Sequence, residues 1–153
     1  MRLEEEIQQR VFKDDFHKAH VNLLFTAAWV NARLTRLMKK YGVSVEQFNI
    51  LRILKGMGEQ PASIKRISCR MLDKSSNTGR LVDKMAEKGL VERNFCPLDR
   101  RQMEIRLTAM GHVTLNHCNA LLEADIRDTM HGLDGQQARV LNELLEQLRA
   151  TGS

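Results

Sequence analysis

The chain has 153 residues, the size of one ordinary domain, and can bury a core without disulfides or structural metals. Its 42% hydrophobic and 28% charged residues fit a globular chain, and no apolar run approaches the ~20 residues of a bilayer-spanning helix, so no such helix is expected. The net charge of +5 is concentrated: residues 62–107 hold eleven Lys/Arg against six Asp/Glu, and the remainder holds thirteen of each.

Residues 3–12 suit a short amphipathic helix or a loose arm. From Asp14 or Asp15, Phe16, Ala19, Leu23, Ala27, Val30, Leu34, Leu37 and Tyr41 recur in steps of three and four, the stripe of a long helix that Gly42 ends. Leu24, Ala28 and Met38 lie beside the stripe, so this helix has more than one apolar side to cover. Ser44-Val-Glu-Gln47 is a capping box that opens a helix through Phe48, Leu51 and Leu54, closing near Gly56 and Gly58. Pro61 and a Ser63 cap introduce a short helix with Ile64, Ile67 and Met71. Asp73 is expected to cap the next one, with Leu81, Val82 and Met85 inward and Gly89 as its stop.

The period then changes to two. Val91 and Phe95 flank Arg93 on one face of a strand, and Met103, Ile105 and Leu107 alternate with polar residues on a second. The loop between them, Cys96 to Arg101, is a polar hairpin tip: a wing. Thr108 caps a further helix with two apolar stripes, Val113, Ala120, Leu121 and Ala124 on one side and Leu115, Cys118, Leu122, Ile126 and Met130 on the other. Asp134-Gly-Gln-Gln137 is a second capping box, opening a last helix with Ala138, Leu141, Leu145 and Leu148. The expected fold is mainly α with a two-stranded β wing, a winged helix-turn-helix at residues 44–108 with helical arms at 1–41 and 109–151, all in one domain over 1–153.

A local excess of positive charge over a helix-turn-helix is the electrostatic footprint of a nucleic-acid contact. Ser75, Ser76, Asn77, Thr78 and Arg80 are expected on the first turns of the helix after the turn, on the side away from Leu81, Val82 and Met85. Hydroxyls and amides there reach base edges or phosphates, Asn pairs with adenine through two bonds, and Arg reads guanine or binds phosphate. The same residues also suit the solvated start of any helix. Lys65 and Arg66 suit phosphate clamping. Of Arg100 and Arg101, one suits the narrow minor groove, and the other suits pairing with Asp99 to hold the loop.

The segments Val45-Glu-Gln-Phe-Asn-Ile-Leu-Arg-Ile-Leu54, Arg80-Leu-Val-Asp-Lys84, Lys88-Gly-Leu-Val-Glu-Arg93, Pro97-Leu-Asp-Arg-Arg101 and Leu107-Thr-Ala-Met-Gly111 together resemble the MarR family of bacterial transcription regulators. The resemblance implies an obligate dimer with intertwined first and last helices, repressing transcription until a ligand or oxidant alters it. It assigns groove contact to Arg100 and the internal pair to Arg101. Two departures stand out: Gly79 replaces a side chain usual in the recognition helix, and Ile67-Ser-Cys-Arg70 replaces a Leu-Ala-Glu-like start of the turn.

The partners expected are therefore duplex DNA with a pseudo-palindromic operator, a second copy of the chain, and a small-molecule effector, with no membrane and no cofactor. A winged helix that binds only other proteins is the alternative. Three widely spaced cysteines, Cys69, Cys96 and Cys118, point to free thiols in a reducing cytoplasm, and the polar N-terminal stretch is unlike a signal peptide. Cys96 at the wing base is the thiol expected to be exposed, and Cys118 is expected in the core. His17, His20, His112 and His117 match no metal-ligand spacing, and no catalytic constellation is visible, so an enzyme is not expected. Trp29 and the eight methionines suit core packing or the lining of an effector pocket.

Overall fold

The computed structural model describes residues 2–58, 60, 62–97, 99 and 101–150. In chain order it contains α1 (Leu3–Glu6), α2 (Asp15–Lys39), α3 (Val45–Met57), α4 (Ile64–Arg70), α5 (Thr78–Glu87), β1 (Val91–Phe95), β2 (Met103–Leu107), α6 (Ala109–Met130) and α7 (Gly135–Ala150). The chain divides into two units, Met1–Cys118 and Asn119–Ser153.

In the first unit the helix boundaries follow local chemistry. Asp14 opens α2 by accepting the His17 N–H at 2.7 Å. Gly42, at φ +69°, ends it in the left-handed conformation that lets the Val43 N–H reach back to the Met38 carbonyl at 3.3 Å. Ser44 and Gln47 exchange the two bonds of a capping box at 3.1 Å each and start α3. Ser63 caps α4 through the Arg66 N–H.

α3 is the hub of this unit, packing against α2, α4, α5 and β2. Ile50, Leu51 and Leu54 from α3 are buried, as are Met38, Ile67, Val82, Met85, Ile105, Leu115 and Cys118 from the surrounding elements. Burying a Leu, Ile, Val or Met side chain contributes about 1.5–3 kcal/mol each, so these residues hold α2, α4, α5 and β2 against α3.

β1 and β2 pair antiparallel in the register Val91↔Leu107, Arg93↔Ile105, Phe95↔Met103. The Ile105 N–H also donates to the Ala62 carbonyl at 2.9 Å, tying the segment before α4 to the wing. Val91 is buried, but Phe95 is 67% exposed. The two share one face, as the alternation requires; only the Val91 end has the lobe beneath it, and the Phe95 end projects beyond.

The wing joins α6 at a tight junction. Thr108 donates its hydroxyl to the Gly89 carbonyl at 2.5 Å and accepts the Gly111 N–H at 3.0 Å. Its own N–H donates to the Leu90 carbonyl at 3.2 Å. Thr108 thus binds Gly89, Leu90 and Gly111, so two separate stretches of sequence meet as one feature.

In the second unit Asp134 and Gln137 exchange the expected capping bonds at 2.9 and 2.8 Å and start α7. α7 buries none of its residues: Val140, Leu141, Leu144 and Leu148 all face solvent. α2 in the first unit is similar, burying only Met38 while Phe16, at 88% exposed, Leu24 and Trp29 stay open. Among the described residues no helix is long and apolar enough to cross a membrane.

Candidate nucleic-acid interface

The segment between α4 and α5 is shaped by side chains that grip backbone. Asn49 on α3 accepts the Leu72 N–H at 2.9 Å. Asp73 accepts both the N–H and the hydroxyl of Ser75, at 2.9 and 2.6 Å. Its carboxylate is therefore committed to the turn and does not cap α5, contrary to the sequence expectation. The cap is Asn77, whose Oδ1 accepts the Arg80 N–H at 3.1 Å.

Capping by Asn77 limits what the polar run can do. Ser75 and Ser76 precede the helix instead of lying on its first turns. Bidentate adenine recognition needs both carboxamide atoms of an Asn, and the cap already uses Oδ1 of Asn77. Thr78 is only 4% exposed, and its hydroxyl, without a partner among the described residues, is withdrawn from the surface. Ser75, Asn77 and Arg80 remain exposed together.

The bonds from Ser75 hold the Asp73 carboxyl below its ordinary value near 3.8. A carboxylate depressed in the folded state supports the fold fully above the unfolded value and loses that support as the pH falls through the folded one. The Ser75 amide resonance is therefore expected to stay fixed from neutral pH down past 3.8 and to move only below it. An Asp73→Asn variant should show no such step; a wild-type midpoint above the ordinary carboxylate value would contradict the assignment.

The described cations of residues 62–107 fall into two groups. Arg93 pairs with Asp83 at 2.5 Å and Arg106 with Glu104 at 3.2 Å. Arg66 donates to Gln60 at 2.9 Å, Lys74 to the Cys69 carbonyl at 2.7 Å, and Lys88 to the Gly42 carbonyl at 2.6 Å. Lys65, Arg70, Arg80, Lys84 and Arg101 are exposed and have no polar side-chain partner among the described residues. Arg70 and Lys84 are additions to the residues expected from sequence. Lys84 lies four residues beyond Arg80 on the same helix face, a spacing legible in the sequence once Leu81, Val82 and Met85 are read as the inner side.

In the wing, Asp99 accepts the backbone N–H of Arg101 at 3.0 Å and the side chain of Gln102 at 3.4 Å. The Cys96 N–H closes the loop on the Gln102 carbonyl at 2.8 Å. Asp99 therefore shapes the wing as expected, but through the Arg101 amide; the expected ion pair with the guanidinium is absent among the described residues. Arg100, the residue assigned to the minor groove, lies outside the described residues. Of the cysteines, Cys69 is the exposed one and Cys96 is half-buried, because Cys96 sits where the loop folds back on the sheet. Cys118 is buried, and burial pushes its thiol pKa up, so it stays protonated and unreactive.

Gly79 sits at the second position of α5. A β carbon there meets only the Asn77 Oδ1, at 3.7 Å, an ordinary contact. Among the described residues nothing requires glycine here, so Gly79→Ala is expected to raise stability by up to ~1 kcal/mol, less than in a helix interior. If DNA approaches this point closely, the same variant loses operator affinity; thermal melts and operator titrations on one protein separate the two effects, and undiminished affinity refutes close approach.

Trp29 is 43% exposed beneath the Arg33 guanidinium, 5.2 Å away, while Met38, Met57, Met71 and Met85 are packed into the core. A cleft of about 300 Å3 opens elsewhere, with Lys55, Arg106 and His112 around Leu54, Ile105 and Leu107.

The model of the MarR family matches residues 43–103. The HTH-type transcriptional repressor IacR of Pseudomonas putida is 31% identical over 137 residues, covering 87% of this chain and 80% of IacR. Among solved structures, the organohalide-sensing RdhR regulator bound to 2,4-dichlorophenol superposes with a TM-score of 0.81 at 18% identity, over 94% of this chain and 86% of that one. MepR of S. aureus in complex with DNA superposes with a TM-score of 0.77 at 12% identity, over 92% and 100% of the two chains. The two structures share the fold, and the sequence relationship carries the assignment: the chain belongs to the MarR family and is a DNA-binding transcriptional regulator, not an enzyme.

Proposed function

We propose that the protein is a cytoplasmic homodimeric repressor that reads a pseudo-palindromic operator and leaves it when a small molecule binds. The observation that carries this reading is the pair Arg80 and Lys84, exposed on one face of α5 with no internal partner among the described residues. In the repressor, α5 enters the major groove with Ser75, Ser76, Asn77, Thr78 and Arg80 at its leading end. Arg80 reads a base or phosphate there, Asn77 serves mainly to cap the helix, and Thr78 packs inward at its first position. Lys65 and Arg66 approach the phosphates, Arg66 less freely because Gln60 holds it. Arg100 enters the minor groove beside a wing that Asp99 shapes, with Arg101 exposed at its edge.

The dimer is supported by the apolar faces that a single chain leaves open. Phe16, Leu24, Trp29, Val140, Leu144 and Leu148 are all solvent-exposed, and large apolar side chains left open in this number suit burial against a second copy. Residues 1–41 and 109–151 cover one another between protomers, and the two α5 helices then meet half-sites roughly 34 Å apart, one helical turn of DNA. Sedimentation is expected to show a dimer down to micromolar protein; a folded monomer there removes the basis of the claim. For the effector, the cleft edged by Lys55, Arg106 and His112 favours a small anion or a polarisable phenol. Repression itself is suggested by IacR being a repressor.

Footprinting on DNA flanking the protein's own coding region, repeated at several salt concentrations, tests the reading. A protected two-fold site with affinity falling steeply as salt rises is expected, because each phosphate contact releases counterions. Binding that is flat with salt, or absent, overturns it in favour of a protein-interaction module.

A further inference from the structure

α5 is gripped at both ends by the first two turns of α3. At the leading end, Asn49 Oδ1 accepts the Leu72 N–H at 2.9 Å, fixing the turn from which α5 starts. At the trailing end, the ammonium of Lys88, the C-cap residue of α5, donates to Gln47 Oε1 at 3.0 Å and to the Gly42 carbonyl at 2.6 Å. Gln47 is 3% exposed, and the same oxygen accepts the Ser44 N–H at 3.1 Å, so it cannot turn away without opening the α3 cap. Gly42 is the left-handed residue that closes α2. One cation therefore joins the end of α2, the start of α3 and the end of α5.

Apolar packing holds α5 to the core through Val82 and Met85, but such contacts are non-directional and permit small slides and rotations. Hydrogen bonds are directional and fix a register. Lys88 lies in the basic segment, yet its charge is spent internally, unlike that of Arg80 or Lys84.

We infer that Asn49, Gln47 and Lys88 are positioning residues: a polar bracket that locks α5 to the end of α2, so that a dimer presents its two reading helices at one fixed spacing. The inference rests on the homodimer reading above. The bracket touches no DNA; it decides which half-site separation the dimer accepts.

The test uses the full chain and a duplex that the wild-type protein selects from a random-sequence pool. Companion duplexes carry one half-site only, or the two half-sites moved apart or together by one base pair. Lys88→Met is expected to lower affinity for the selected duplex about tenfold, the scale of one lost charge-assisted hydrogen bond. Affinity for the single half-site should stay within about twofold, so that the preference among spacings flattens. Lys88→Arg, which can still donate to both acceptors, should restore the preference. Asn49→Ala probes the other end of the bracket with no change of charge and should flatten the preference too, while Asn49→Asp keeps the acceptor and should retain it. Equal losses on one and two half-sites, or an unchanged spacing preference in both Lys88→Met and Asn49→Ala, overturn the inference. A wild-type protein that binds one half-site as tightly as two removes the dimer reading, and this inference falls with it.

Discussion

Gly111→Ala is expected to destabilise the protein by about 3 kcal/mol or more, beyond the usual range for an overpacked position. A β carbon built on Gly111 lies 2.1 Å from the Leu90 carbonyl oxygen and 3.1 Å from its carbon, with the Leu107 side chain at 3.3 Å. The two closest are backbone atoms, so a rotamer change cannot relieve the clash. Nor can the Leu90 carbonyl retreat freely: it accepts the Thr108 N–H, and Thr108 in turn holds Gly89 and the start of α6. Relief would separate α6 from the end of α5 and open the Thr108 bonds. Gly111 lies within a regular helix and has no need of unusual backbone freedom, so its requirement is one of space. Urea unfolding should show a midpoint shifted well down with little change of slope. Wild-type stability in the alanine variant would mean the two motifs do not approach as described. The contrast with Gly79→Ala is internal to the molecule, since both glycines are helical and only one is crowded.

Arg80→Ala is expected to cost about 1–3 kcal/mol of operator binding and to relax discrimination at one base position, if the guanidinium reads a base edge. Its backbone N–H is fixed by Asn77, and Val82 and Met85 seat the same helix in the core, so the side chain projects from a rigid platform. Lys84→Ala should behave differently, weakening binding to every duplex alike and reducing the salt slope by about one. Neither substitution removes a polar contact within the described residues, so neither should shift the melting temperature appreciably. Unaltered affinity in the Arg80→Ala protein would place the reading surface elsewhere, with the wing as the next candidate.

Several features are legible in the amino-acid sequence because they involve residues within a few positions of each other. The capping boxes of Ser44 with Gln47 and of Asp134 with Gln137 close over three residues, and Gly42 and Gly89 end their helices through local backbone geometry. The period of the apolar residues likewise determines which side of α5 turns inward, and the change of period marks the wing. The family motifs are readable too, and with them the class of function. Competition between neighbours is not. Asp73 and Asn77 are both good caps, and the outcome turns on Ser75 binding the Asp73 carboxylate.

Tertiary structure decided everything that depends on residues distant in sequence. Phe95 follows the strand pattern yet is exposed, because the lobe ends beneath Val91. The reason for Gly111 is the carbonyl of Leu90, brought beside it by a hairpin and a helix start. The sequence by itself placed the excess positive charge in residues 62–107 but could not say which cations are free. Arg93 is spent on Asp83 and Lys88 on Gly42 and Gln47, whereas Arg80 and Lys84 are left facing solvent. Local backbone preferences act over a single turn and are written residue by residue. Which charge finds a partner is settled only when the chain has folded and the distances between remote groups exist.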